Sequence, residues 1–188
     1  MIYLDEEKLL LEKIKKDPKE FGVLFDYYYN KIFGYVLRRT LNYDLTEDIV
    51  VETFLKAFLK INDFEWKNIS ISSWLFKIAT NEVNIYYRKQ KYSPASLDKL
   101  LDREGFDIAN TESFEEERKR IEEELKNHND FILVQQKLEK MPVKYQEVIA
   151  LKYFEEKNIK EISEILGKKE GTIKSLISRG LQKLRDSF

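Results

Sequence analysis

The chain has 188 residues, 43% of them hydrophobic and 13% aromatic, which is enough for one domain or two small ones with apolar cores. It has 33 Lys and Arg against 34 Asp and Glu and no cysteine, which excludes a disulfide scaffold and any thiolate metal site. With 6 Gly, 3 Pro and almost no strand-like alternation, an all-α fold is expected. No apolar segment suits a signal peptide or a bilayer span, so the expectation is a cytoplasmic protein without membrane insertion. The net charge of −1 averages over unlike parts. Residues 1–92 hold 15 basic and 14 acidic side chains, residues 93–136 hold 6 and 12, and residues 137–188 hold 12 and 8.

Four helices are predicted in the N-terminal part: Leu4–Lys16, Pro18–Leu41, Thr46–Ile61 and Ser72–Lys91. Thr46 suits an N-cap, and Glu47 and Asp48 follow it where the helix dipole favours acid. In this third helix Ile49, Val50, Thr53, Phe54, Ala57, Phe58 and Ile61 form the expected buried face, and Asp48 and Glu52 project together outward. The fourth helix has an expected core face of Trp74, Leu75, Ile78, Ala79, Val83 and Tyr86. Lys77, Asn81, Asn84, Arg88 and Lys91 fall in one straight line on it. Two amides within a line of cations can hydrogen-bond bases or phosphates. Tyr86, Tyr87 and Tyr92 lie nearby and Trp66 precedes the helix, so bases of a single strand could stack there. The plainer alternative is that these aromatic residues fill the core.

Ser93-Pro94-Ala95-Ser96 breaks the helical pattern, and apolar residues are sparse from there to Asp130. Residues 93–130 therefore read as an acidic linker, flexible or partly helical. Its negative charge could shield the basic DNA-facing surfaces of the free protein. A helix over Phe131–Lys140 follows, and Met141-Pro142 opens another through about Phe154.

The most informative stretch begins at Asn158. A short helix carries Ile159, Ile162, Ile165 and Leu166, and Gly167 ends it with a left-handed turn. The next helix aligns Ile173, Ile177, Leu181 and Leu184 in one apolar stripe. Opposite lie Ser175, Ser178, Arg179 and Gln182, with Lys174 and Arg185 beside them and no carboxylate within the face. Any surface helix has a polar face, but one entering a major groove needs this kind of face, because phosphates repel acid while Arg, Gln and Ser can reach base edges. The positive excess concentrated in the turn and second helix adds weight to the DNA reading.

Three segments, in order, carry a family resemblance: LTEDIVVETFLKAF (45–58), SWLFKIATNEVNIYYRKQK (73–91) and KMPVKYQEVIALKYFEEKNIKEISEILGKKEGTIKSLISRGLQKLR (140–185). On them the chain resembles the extracytoplasmic-function (ECF) group of the sigma-70 family of bacterial sigma factors. The resemblance implies a promoter-specificity subunit that binds the RNA polymerase core at the clamp of its largest subunit and the flap of its second-largest. It implies that residues 1–92 bind core and the −10 element, that 93–130 link, and that 131–188 bind the −35 element. Asp48 and Glu52 would meet polymerase; Trp66, Lys77, Asn81, Asn84, Arg88 and Lys91 the −10 element; and Lys168, Thr172, Lys174, Ser175, Ser178, Arg179 and Gln182 the −35 element. The family often has an anti-sigma partner, and it has no catalytic residues. Departures from its pattern are Val51, Ile85, Ser163, Gly180 and Leu176, the last standing where Arg is common and expected to thin phosphate contacts.

An enzyme is not expected, and neither is a cofactor. The single His128 lies in the linker, the cluster Glu115–Glu117 lacks metal-ligand spacing, and no Gly-rich phosphate loop occurs. The competing reading is a stand-alone helix-turn-helix regulator whose N-terminal domain binds another protein. Such a regulator has no need of the Lys77–Lys91 line.

Overall fold

The computed structural model describes residues 4–64, 70–92 and 129–187, and every regular element among them is helical. Helix α1 spans Leu4–Lys16, as predicted. Asp17 then accepts a hydrogen bond from the Lys19 amide at 3.0 Å and starts a 3-10 turn, Pro18–Glu20. The predicted Pro18–Leu41 helix therefore becomes that turn plus α2, Phe21–Thr40. Helix α3 is Tyr43–Lys60 and begins earlier than predicted. Its cap is Asn42, whose Oδ1 accepts from the Leu45 amide at 2.8 Å. Thr46 is instead buried in the first turn, and its hydroxyl donates to the Asn42 carbonyl at 2.6 Å. Helix α4 is Ile71–Tyr92, with Ser70 Oγ accepting from the Ser73 amide at 3.0 Å.

Helix α2 is the centre of the N-terminal domain. Leu24, Ile32, Tyr35 and Val36 are fully enclosed there, meeting Val50, Phe54 and Ala57 of α3 and Leu75, Ala79 and Val83 of α4. Phe54 packs its ring 4.8 Å from Phe25 and 6.2 Å from Tyr29. Glu7 is a buried carboxylate satisfied by two donors, the Tyr28 hydroxyl at 2.5 Å and the Ile71 amide at 3.2 Å. It thereby pins the start of α4 to α1.

The C-terminal domain contains α5, Asn129–Glu139, and α6, Val143–Ile149. Helix α6 runs on into a π turn, Ala150–Phe154, closed by the Glu155 amide donating to the Ala150 carbonyl at 3.1 Å. Helix α7, Ile159–Leu166, starts on a reciprocal capping box between Asn158 and Glu161. Gly167 ends α7 at φ 62°, the left-handed turn predicted from the sequence. Helix α8, Glu170–Arg185, packs on α6 and α7 through Ile173, Leu176 and Ile177. At Gly180 an added Cβ would stand 3.1 Å from Ile149 Cδ1, so the missing side chain lets α8 approach α6 closely.

The two domains lie against each other. Helix α7 packs on α4, and the π turn packs on α2.

Candidate nucleic-acid and polymerase interfaces

Helix α8 presents the predicted polar face. Thr172, Lys174, Ser175, Ser178, Arg179 and Gln182 are all exposed, and Lys168 is half-buried at the turn before it. The face is internally ordered: Arg179 Nε donates to the Ser175 carbonyl at 3.3 Å, and Ser175 Oγ to the Gly171 carbonyl at 3.0 Å. Gln182 Nε2 donates to Asp186 Oδ1 at 2.7 Å, so a carboxylate does border this face at its C-terminal end. Leu176 is buried at 7% exposure and belongs to the core side. The departure at this position thus adds apolar packing and takes nothing from the exposed row. Burying Leu176 gives α8 a wider apolar face than the four-residue stripe read from the sequence.

On α4, Lys77, Asn81 and Arg88 are exposed. Asn84 departs from the expectation of a solvent-facing line. Its Oδ1 accepts from Arg39 Nη2 at 3.0 Å, and its Nδ2 donates to Glu147 Oε1 of α6 at 2.6 Å. Trp66 and the side chain of Lys91 lie outside the described residues, as do residues 93–128 of the expected linker with His128 and Glu115–Glu117, while its last two residues, Asn129 and Asp130, open α5.

On α3, Asp48 is exposed. Glu52 is only partly available: Lys56 bridges it at 3.0 Å while reaching Glu82 of α4 at 2.6 Å. The larger signal on this helix is apolar and was missed in the sequence. Val51, Leu55 and Leu59, four apart in turn, are 61%, 49% and 68% exposed, and Phe58, expected in the core, is 41% exposed. Phe58 meets Phe21 edge-on at 5.1 Å and covers the rim of the core without entering it. Helix α3 is apolar on both sides, and its outer side has no covering element among the described residues. Exposed apolar rows beside carboxylates mark surfaces that bind other proteins.

Charge is concentrated where the domains meet. Arg39 is 3% exposed, donates to the Tyr35 hydroxyl at 3.1 Å and lies 3.6 Å from Glu147, itself 5% exposed. Arg38 donates to Glu155 at 3.2 Å and sits over the Phe154 ring at 5.6 Å. Lys157 reaches Ser72 Oγ at 2.8 Å and stands 4.9 Å from the Phe76 ring. Burial pushes the Lys157 amine below its ordinary range, against the pull of Glu161 and Glu155.

The family description "Sigma-70 region 2" matches residues 24–92, and "Sigma-70, region 4" matches 131–184. The ECF RNA polymerase sigma factor SigW of Bacillus subtilis (strain 168) is 34% identical over 185 residues, which covers 95% of this chain and 94% of SigW. The chain belongs to the ECF RNA polymerase sigma factors. SigM of the same organism, also an ECF sigma factor, is 28% identical over 86% of this sigma factor and 91% of its own length. Two solved structures share the fold at a TM-score of 0.67. One is CnrH in complex with the cytosolic domain of CnrY, at 19% identity over 96% of this chain and 95% of that one. The other is RpoE of Bartonella quintana with the anti-sigma factor NepR, at 23% identity over 89% and 96%. The two matched regions correspond to the two helical domains of this sigma factor, and no described helix is long and apolar enough to cross a membrane.

Proposed function

We propose that this promoter-specificity subunit docks on the polymerase core through the outer side of α3 and reads a two-part promoter with α4 and α8. The carrying observation is the exposed row Val51, Leu55 and Leu59 beside Asp48. A dissociable polymerase subunit needs an apolar contact that tolerates water when free, and the Lys77–Arg88 line on α4, for which a stand-alone regulator has no need, favours that partner over another protein. Asp48 and the partly paired Glu52 add electrostatic selection at its edge. In this reading residues 1–92 bind the clamp and the −10 element, 93–130 link, and 131–188 bind the flap and the −35 element. Thr172, Lys174, Ser175, Ser178, Arg179 and Gln182 face the −35 duplex, with Lys168 at its phosphates. Lys77, Asn81 and Arg88 face the −10 element, and Asn84, Trp66 and Lys91 belong there by sequence position.

Bond chemistry falls to the polymerase core, so the protein needs no catalytic residue and no cofactor. It acts where polymerase acts, in the cytoplasm, and by family resemblance an anti-sigma protein is its expected antagonist.

The test is a pull-down with purified core, followed by run-off transcription on DNA selected by the loaded polymerase. Replacing Leu55 and Leu59 by Asp should weaken core binding about tenfold or more, since buried apolar anchors are worth upwards of about 1 kcal/mol each. Undiminished binding by this variant, or unchanged start sites when the native protein is added, rules the reading out.

A further inference from the structure

Two rows run side by side along the outer side of α3, each in steps of four. One is apolar, Val51, Leu55 and Leu59, with Phe58 at its edge. The other is charged, Asp48, Glu52, Lys56 and Lys60, two acids followed by two bases. Asp48 and Lys60 are exposed, while Glu52 and Lys56 are half-exposed and joined by their 3.0 Å bridge. The helix dipole favours acid early and base late. It does not account for an apolar row of the same pitch beside them.

The two rows share a symmetry. Reversing the helix end for end exchanges acid for base along the charged line, Asp48 with Lys60 and Glu52 with Lys56. The same reversal exchanges Val51 with Leu59 and returns Leu55 to its own place. The charged line is centred on position 54 and the apolar row on position 55, about 1.5 Å apart along the axis. A helix laid antiparallel against a copy of itself therefore sets apolar side chains against apolar ones. The two-fold axis of such a pair passes between the helices at right angles to both. It keeps each flank on its own side, so the charged lines also meet, acid to base. In a parallel pair the charged lines fall on opposite edges and never meet.

We propose that the free protein pairs with a second copy of itself through the outer side of α3, antiparallel about Leu55. Val51 of one protomer packs on Leu59 of its partner, and Asp48 of one faces Lys60 of the other. A stable interface takes about 20–30 residues a side, and α3 alone offers far fewer, so the pair is reversible at concentrations on the order of 10 μM. Pairing and core binding then exclude each other, a consequence that rests on the assignment of this face to polymerase made above; the pairing itself does not.

Sedimentation equilibrium of the native protein should show the mass rising from monomer toward dimer over about 1–100 μM. A monomer throughout overturns the proposal. Asp48→Lys or Lys60→Glu alone should weaken pairing about tenfold or more, because like charges then face each other twice across the axis. The two substitutions together should restore it, with circular dichroism unchanged in all three variants. Absence of that restoration overturns the antiparallel register. The chain has no cysteine, so Leu55→Cys supplies one thiol per protomer, at the axis. A short bis-methanethiosulfonate reagent should bridge two such protomers at least tenfold faster than it bridges Ser178→Cys, an exposed control on α8. Equal rates overturn the proposal. The bridged dimer should be captured by purified core at least tenfold less than the same sample after dithiothreitol releases it. Equal capture before and after reduction refutes the exclusion. Native protein that core fails to capture sinks the polymerase reading instead, and the pairing is still decided by sedimentation, which involves no polymerase.

Discussion

Arg179 stands mid-way along the exposed face of α8, its Nε held by the Ser175 carbonyl so that the rest of the guanidinium reaches outward. Two contacts are open to it on DNA, and they differ in what they predict. A bidentate contact to a guanine edge makes Arg179→Ala lower discrimination at one position of the −35 element by about 1–3 kcal/mol. A phosphate contact lowers affinity evenly across sequences and takes about one unit from the salt slope. Competition binding across single-base variants, repeated at several salt concentrations, distinguishes the two. No change in either quantity means that α8 docks by another face. Single residues were legible in the sequence where backbone chemistry dictated them. Gly167 is the clearest case, because a left-handed turn at φ 62° suits glycine and the apolar stripes on either side required a turn there. Asn84 was not legible in this way. It was read as one member of a solvent-facing line, but its partners come from α2 and α6, distant in sequence, and no periodicity encodes them.

Helix α3 is used on two sides. Its inner row of Val50, Phe54 and Ala57 is packed solid, while Val51, Leu55 and Leu59 stand in water. Substitutions on the two rows should therefore have opposite consequences. Phe54→Ala removes a ring that touches Phe25 and Tyr29 and should destabilise the fold by about 3–5 kcal/mol. Leu59→Ala should change stability by less than about 0.5 kcal/mol, because the side chain is already exposed, yet weaken capture of core polymerase. Urea unfolding and core pull-down on both variants check the pair. Equal destabilisation by the two would remove the distinction between an inner and an outer row. From sequence this helix was read as having one apolar face, because apolar residues lie on both sides of its charged line Asp48, Glu52 and Lys56 and periodicity alone cannot say which side a neighbour covers. The displaced cap has a similar cause. Asn42 and Thr46 are both good caps, and the choice between them turned on the Thr40–Thr46 hydroxyl contact at 2.8 Å, which buries Thr46 against the end of α2.

Across the whole molecule the buried tyrosines set the alkaline limit. Burial pushes up the phenols of Tyr28, Tyr29 and Tyr35, with Glu7 adding to the effect at Tyr28 and Tyr29 reaching about 12. Their ordinary value is 10.0, so above it the unfolded chain loses protons that the folded chain keeps. Stability contributed by these groups is intact below pH 10 and falls as pH rises through the window above it, by about 1.4 kcal/mol per pH unit for each tyrosine. Lys157 acts in the opposite sense. Its amine is lowered from 10.5, so the cost of burying it fades as pH climbs toward that value, and this softens the loss only up to that point. Tyrosinate absorbance and circular dichroism followed together should show these phenols ionising in step with unfolding. Ionisation near pH 10 with the helices intact would contradict their burial. At this scale the sequence yielded two helical domains and their order, since each carries its own periodicity and caps. It did not yield their contact, because Arg38, Arg39, Glu147 and Lys157 read as ordinary surface charges until α7 is laid on α4.

That contact joins two parts of a single chain, and so dilution cannot undo it. The covalent link holds the two surfaces at an effective concentration that does not depend on the amount of protein in the cell. Opening then depends on what competes for the released surfaces. Core polymerase present at a hundred times its dissociation constant contributes about 2.7 kcal/mol toward any form it alone can bind. A closed state stabilised by less than that yields wherever polymerase is plentiful and persists where it is scarce. Tether length offers a mild adjustment, because doubling it weakens closure by only about 0.6 kcal/mol. The threshold for engagement can thus be reset by inserting residues between the domains, without touching a side chain that meets DNA or polymerase.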